Sequence, residues 1–198
     1  MNYLAHARLS FNDPALLVGN MISDFVKGKK KFDYPTGIQK GIQLHRLIDE
    51  FTDIHPETKR AMEYFRPAYR LYSGAFVDVV FDHFLACDTT EFNTGDELQL
   101  FCQKVYQTLQ SNFSILPLRF QKMLPYMQTQ NWLYNYQYDW GLEKSLEGVV
   151  HRALYLHESA IAFSIFKKEY SSLKSCYEIF YPQLKLFATQ QVSNLLDY

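Results

Sequence analysis

The sequence predicts an all-α fold, an irregular multi-helix bundle, in one domain over residues 1–198. Apolar residues recur with a period near 3.6, the spacing of one helix face, and no run of alternating β-branched residues indicates a strand. Gly and Pro are few, at 8 and 7, and lie where helices begin or end. A chain of this length with 47% hydrophobic residues can bury a core without disulfides.

Individual helices are predicted from their start and stop signals. Asn-Asp-Pro at 12–14 combines a capping side chain with a proline suited to the first turn, so a helix follows at 15–26 and ends before Gly28. His55-Pro56 separates the next two helices, and 88–96 is polar and forms a loop. The predicted helices after the first are 38–53, 57–66, 68–87, 97–112, 118–126, 130–138, 142–170 (one helix, or two broken near Gly148) and 171–196.

Charge and composition exclude some classes of function. The net charge of −1 gives no electrostatic basis for nucleic-acid binding. Residues 1–70 hold eleven Lys and Arg against eight Asp and Glu, a net of +3 that favours an acidic partner. No window is long and apolar enough to span a membrane, and no signal peptide or CxxC pair is found, so we expect a cytoplasmic protein that binds no membrane.

Carboxylates and histidines are concentrated in the first 85 residues. His45, Asp49 and Asp53 are spaced four apart, which places them on one face of a helix. Asp78 and Asp82 repeat that spacing on a second helix. Such side chains on facing helices build metal sites in helical proteins, and a divalent ion can activate water and neutralise phosphoryl charge. Further candidates are Asp24, His83 and His6.

Each candidate has a plainer interpretation. Asp53 can end its helix or pair with an arginine, and His83, which Phe81 and Phe84 flank, can be a core histidine. Asp78 and Asp82 lie in an apolar run, where a carboxylate is costly unless it is paired or coordinated. That cost favours a functional site over a structural ion pair for these two.

Basic side chains adjoin the same constellation. Arg46 follows His45 and can hold a phosphate in bidentate fashion, although a salt bridge with Asp49 or Glu50 explains it equally well. The lysines between 27 and 31 can likewise form a solvated loop.

Four blocks of sequence, in order, resemble the acyl carrier protein phosphodiesterase family. They are Met-Asn-Tyr-Leu-Ala-His at 1–6, Gly-Asn-Met-Ile-Ser-Asp-Phe-Val-Lys-Gly at 19–28, the run Gly-Ile-Gln-Leu-His-Arg-Leu-Ile-Asp-Glu-Phe-Thr-Asp at 41–53, and Asp-Val-Val-Phe-Asp-His-Phe-Leu at 78–85. The resemblance is dense over about the first 90 residues and then thins to fragments, such as 131–133 and 148–152.

The resemblance implies a helical fold distantly similar to HD-type metal phosphohydrolases. It implies hydrolysis of the phosphodiester that joins 4′-phosphopantetheine to a serine of holo acyl carrier protein, with Mn²⁺ or another divalent ion such as Mg²⁺, Fe²⁺ or Co²⁺. The metal ligands carried over by position are Asp24, His45, Asp49, Asp78, Asp82 and His83, and the catalytic residues are Asp24, His45, Arg46, Asp49 and Asp82. The residues that the resemblance implies for substrate contact are His6, Asn20, Lys27, Lys29, Lys30 and Arg46.

Two other functions stay open at this stage. A different phosphohydrolase, acting on a nucleotide or another small phosphodiester, would share the same inner residues. A helical binding module would hold the acidic residues as buried ion pairs, would purify without metal and would lose little stability with a chelator.

Overall fold

The computed structural model describes residues 1–153, 156 and 158–196. Within those ranges every regular element is helical, as the sequence predicted. The α-helices are α1 Tyr3–Arg8, α2 Pro14–Ile22, α3 Thr36–Ile54, α4 Pro56–Tyr69, α5 Ser73–Ala86, α6 Gly95–Ser111, α7 Leu118–Thr129, α8 Trp132–Asn135, α9 Asp139–Arg152, α10 Ala160–Lys168 and α11 Tyr170–Leu196. Short 3₁₀ helices lie at Ser23–Phe25, Gly28–Asp33, Arg70–Tyr72 and Phe113–Ile115.

Local signals set the start of α2. Asp13 is the N-cap, and its side chain accepts hydrogen bonds from the backbone N–H groups of Ala15 and Leu16. Pro14 occupies the first turn, where no backbone donor is needed. This confirms the predicted helix start.

Some predicted helices differ from those observed. The predicted helix 68–87 begins only at Ser73, because α4 continues to Tyr69 and Arg70 then takes a positive φ of 47°. Neither alternative for 142–170 matches, since α9 continues through Gly148 to Arg152 and α10 begins at Ala160; residues 154, 155 and 157 lie outside the described chain. The short α1 was not predicted, because six residues show too little periodicity.

Aromatic side chains pack the interface between α5 and α11. Phe81 lies against Phe180 with ring centroids 5.2 Å apart, and Phe84 lies against Tyr177 at 5.8 Å. All four rings are buried. Large rings contribute much of the buried area in a core, and the C-terminal aromatics serve that purpose here.

Helices α2 and α3 approach each other closely at two glycines. A Cβ atom on Gly41 would overlap the carbonyl oxygen of Leu16, and one on Gly19 would overlap the carbonyl oxygen of Ile38. Small residues let two helix backbones meet at this distance. The crossing fixes Asn20 on α2 beside His45 on α3.

No helix in the described ranges is long and apolar enough to cross a membrane.

We expect Gly41→Ala to lower the free energy of unfolding by about 1–3 kcal/mol, because the added methyl forces α2 away from α3. Gly74→Ala is the matched control, since its Cβ would meet only the Cε of Met62, at 3.8 Å. That control should be neutral or stabilising by roughly 0.5–1 kcal/mol. Urea denaturation measures both, and equal effects would contradict the close crossing.

Candidate metal centre

Two histidines and an aspartate from separate parts of the chain meet at one point. His6 lies on α1, and His45 and Asp49 lie one turn apart on α3. One potential ligand atom from each lies within 4.8 Å of the others. The two imidazole rings stack with centroids 3.9 Å apart and an interplanar angle of 19°.

The backbone of α2 orients His45. Its Nδ1 lies 2.7 Å from the carbonyl oxygen of Asn20, which can only accept, so Nδ1 carries the proton. Its Nε2 therefore faces the pocket. That atom is buried without a hydrogen-bond partner in the described chain, although it lies 3.0 Å from Oδ2 of Asp49 and 3.3 Å from Oδ1 of Asp24.

The side chain of Asn20 orients His6 in the same way. Its Oδ1 lies 2.8 Å from Nδ1 of His6. Its Nδ2 donates to the carbonyl oxygen of His6 at 2.8 Å and to Oγ of Ser10 at 3.1 Å, which fixes the orientation of the amide. Nε2 of His6 then lies 3.2 Å from Oδ1 of Asp49. Asn20 was expected to bind substrate, but it is fully buried and positions both histidines.

The two carboxylates of the cluster face the solvent side. Asp49 has 41% of its side chain exposed, and Asp24, on the 3₁₀ helix Ser23–Phe25, has 68%. Burial alone lowers the pKa of His45, but Asp24 and Asp49 outweigh it and raise that pKa to about 9. The close ionic contact with His45 lowers the pKa of Asp24. Burial raises the pKa of Asp49, but the two histidines outweigh burial and lower that pKa.

This donor set fits a divalent transition ion. Ligands about 2.1 Å from an ion and at right angles to each other lie about 3.0 Å apart, close to the observed separations between imidazole nitrogens and carboxylate oxygens. Nε2 of His45, a buried nitrogen with no hydrogen bond, is the atom that such an ion would satisfy. Imidazole and carboxylate together suit Mn²⁺, Fe²⁺ or Co²⁺.

Asp78 lies in the same pocket but already has a partner. The α-amino group of Met1 donates to its Oδ1 at 2.7 Å. Burial raises the pKa of Asp78, and this ammonium group partly offsets that rise. Asp78 therefore lies beside the cluster, with Asp53 on the same wall of the pocket.

Asp82 was expected to be a metal ligand, but the structure does not place it in the cluster. Asp82 is fully buried, and its oxygens accept from the backbone N–H groups of Leu4 at 2.7 Å, Asn2 at 3.2 Å and Ala5 at 3.3 Å. These are the orphan donors at the start of α1. Asp82 thus holds the helix that carries His6 and is not placed to bind the ion itself.

His83 also lies apart from the cluster. Its Nδ1 lies 2.7 Å from the carbonyl oxygen of Tyr136, and its ring packs edge-on against Phe166 and Tyr170. Burial lowers its pKa, which favours the neutral form. The core interpretation of this residue fits the structure, and the expected ligand role does not.

The predicted basic residues lie outside the pocket. Nη2 of Arg46 donates to the carbonyl oxygen of Val26 at 3.1 Å, so it attaches the segment after α2 to α3 and does not form the salt bridge considered for it. Lys27, Lys29 and Lys30 are exposed on or next to the 3₁₀ helix Gly28–Asp33. This basic segment follows Asp24 directly in the chain.

The pocket over the cluster has a volume of about 260 Å³. Besides the aspartates and histidines, its wall includes Tyr3 and Arg152, which the sequence did not single out. Arg152 lies more than 60 residues beyond the last of the dense motif blocks, in one of the weaker fragments of resemblance, and nothing in the spacing linked it to them.

Comparison with known proteins shows to which family the chain belongs. A sequence model described as acyl carrier protein phosphodiesterase matches residues 1–184. The chain belongs to this family. A relative of that name from Yersinia pestis is 33% identical over 184 residues, which cover 93% of this chain and 95% of the relative. Another from Pectobacterium atrosepticum is 31% identical over 193 residues, which cover 97% of this chain and 100% of the relative.

No solved structure matches the chain. The similarity to HD-type phosphohydrolases therefore stays a prediction.

Two alanine variants of this phosphodiesterase-family protein should have different effects, one on metal affinity and the other on stability. Asp49→Ala removes a half-exposed carboxylate next to both histidines, so we expect Mn²⁺ affinity to fall by about 100-fold or more. Asp82→Ala leaves three buried N–H groups unpaired, so we expect the metal-free protein to lose about 3 kcal/mol or more of unfolding free energy.

Calorimetric titration with Mn²⁺ and urea denaturation with chelator measure the two effects. Asp82→Ala with unchanged stability and abolished Mn²⁺ binding would return that residue to the ligand set.

Proposed function

We propose that this protein hydrolyses the phosphodiester linking 4′-phosphopantetheine to the serine of holo acyl carrier protein. Its membership of the family supports the substrate, and the relatives carry that activity in their names. The observation that carries the chemistry is the convergence of His6, His45 and Asp49, with a buried Nε2 that lacks a hydrogen bond.

We further propose that the site holds Mn²⁺, with Fe²⁺, Co²⁺ or Mg²⁺ as alternatives. His6, His45 and Asp49 would bind the ion and Asp24 would complete the set from the rim. Two imidazoles favour a transition ion over Mg²⁺, which prefers oxygen ligands. When bound, such an ion supplies charge neutralisation for a phosphoryl oxygen and acidifies water.

The proposed reaction adds a water oxygen to phosphorus and breaks the bond between phosphorus and the serine oxygen, which leaves with a proton. The products are apo acyl carrier protein and 4′-phosphopantetheine. Asn20 contributes by holding both histidines in fixed tautomers, each with Nε2 toward the pocket. The remaining carboxylates that line the pocket, Asp53 and Asp78, are our candidates for proton transfer to or from the reacting groups.

The basic segment is the proposed docking site for the carrier protein. Lys27, Lys29 and Lys30 are exposed, and they follow closely in the chain after Asp24, which lines the metal pocket. Acyl carrier proteins are strongly acidic, so these lysines would steer one to the rim by charge. Arg46 supports the segment through Val26 and does not contact the substrate in this account.

The decisive test incubates purified protein with holo acyl carrier protein and Mn²⁺ and follows the carrier by intact mass spectrometry. We expect loss of the phosphopantetheine mass, no reaction with chelator, and no reaction for Asp49→Ala at matched stability. An unchanged carrier mass, with metal bound and a small phosphodiester hydrolysed, would move the assignment to a small-molecule phosphohydrolase. An unchanged carrier with no metal bound would support a binding module.

The docking proposal predicts a change in KM with little change in kcat. Lys29→Glu combined with Lys30→Glu should raise KM by about tenfold at low ionic strength, and added salt should shrink the difference because it screens the charges. Lys174→Glu on α11 is a control on a distant element, where the lysine pairs only with Glu178. Equal kinetics for the double variant and the control would refute the docking role.

A further inference from the structure

A second cleft opens directly from the metal pocket. The two share Asn2, Tyr3 and Arg152, so the cleft begins where the metal pocket ends. It has a volume of about 160 Å³ and runs along α9 toward α8. Its walls include the aromatic rings of Trp132 and Trp140.

The floor of the cleft is open because its residues are small. Gly148 and Ser145 lie on the face of α9 that lines it. A Cβ on Gly148 would meet only Nη1 of Arg152, at 3.6 Å, so the space above this position is free of other close side chains. The aromatic walls and the small floor form a slot for a narrow, partly apolar chain.

Arg152 gives the cleft a charge at the end nearest the metal centre. Its side chain is exposed, and the arginine ion pairs of the described residues belong to Arg8, Arg60 and Arg66. Among the residues that the structure describes, this guanidinium has no carboxylate partner, and at the junction with a phosphodiesterase site it can bind a phosphate oxygen. Gln130, which also lines the cleft, supplies a side-chain amide.

We propose that this cleft binds the pantetheine arm of the substrate, with Arg152 on the phosphate, and this inference rests on the proposed function. Pantetheine is a narrow chain of amides with a branched apolar segment and a hydroxyl group. Aromatic walls suit its methyl groups, amide side chains suit its amides, and the cleft ends at the metal centre, where its phosphate must lie. The carrier protein then docks at the opposite rim, on the basic segment.

The protein carries a built-in probe for this proposal, because its two tryptophans, Trp132 and Trp140, both line the cleft. Titration of the Mn²⁺-loaded protein with pantetheine and with 4′-phosphopantetheine should change tryptophan emission in a saturable way. Gly148→Leu fills the slot and should abolish the change. Gly148→Ala, which adds only one methyl group, should retain it.

Arg152→Ala tests the phosphate contact separately. We expect its affinity for 4′-phosphopantetheine to fall about tenfold or more, because a charge-assisted hydrogen bond is lost, while its affinity for pantetheine stays unchanged. An equal loss for both ligands would remove the arginine from the phosphate-binding role.

Activity assays distinguish failure of this inference from failure of the proposed function. Gly148→Leu should lose turnover of holo acyl carrier protein but keep metal-dependent hydrolysis of bis(p-nitrophenyl) phosphate, a phosphodiester without an arm. Unchanged carrier turnover in Gly148→Leu, with no tryptophan response in the wild type, overturns the cleft assignment alone. No carrier turnover in the wild type overturns the proposed function.

Trp140→Ala guards against a folding defect in the leucine variant. This ring is half-exposed, so its removal should leave the melting temperature nearly unchanged. We expect weaker pantetheine binding, detected through Trp132. Full affinity in this variant would contradict the role of the aromatic wall.

Discussion

The candidate site depends on one buried residue, Asn20. Its backbone oxygen and its side-chain oxygen each accept from the Nδ1 of a histidine, His45 and His6, at 2.7 and 2.8 Å. A buried polar group is stable only when its hydrogen bonds are made, and here the bonds that satisfy Asn20 also select the tautomer of both imidazoles. Gly19, one of the two glycines at the close crossing of α2 and α3, directly precedes that asparagine.

The acidic side chains around this residue have two different roles: some hold the N-terminal segment in place, and others contact the histidines. Asp82 anchors the N-terminal turn of α1 through three backbone donors and so places His6. Asp78 holds the α-amino group of Met1 at the wall of the pocket. Among the acidic side chains that the structure describes, only those of Asp49 and Asp24 have oxygens within 3.3 Å of a histidine Nε2. Burial still raises the pKa of Asp82 to about 7, and the α-amino group of Met1 and the three backbone hydrogen bonds offset only part of the cost of burying this carboxylate.

Sequence patterns predicted the helical fold and one half of the site. The four-residue spacing of His45 and Asp49 defined a helix face that the structure confirms. The same spacing of Asp78 and Asp82 did not predict their partners. Periodicity gives the direction of a side chain but not the element that it meets there. His6 meets Asn20 through the unpredicted helix α1, whose position depends on tertiary hydrogen bonds and on its buried apolar residues. Arg152 joins the pocket through contacts distant in sequence, which no local pattern encodes.

We propose that one divalent ion is bound by Nε2 of His6, Nε2 of His45 and an oxygen of Asp49. Anomalous diffraction from a crystal of the Mn²⁺-loaded protein tests it most directly. The account predicts one Mn²⁺ peak about 2–2.3 Å from these three atoms, with Asn20 still bonded to both Nδ1 atoms. A peak on Asp82 and His83, or loaded crystals without a peak at the two histidines, would contradict it.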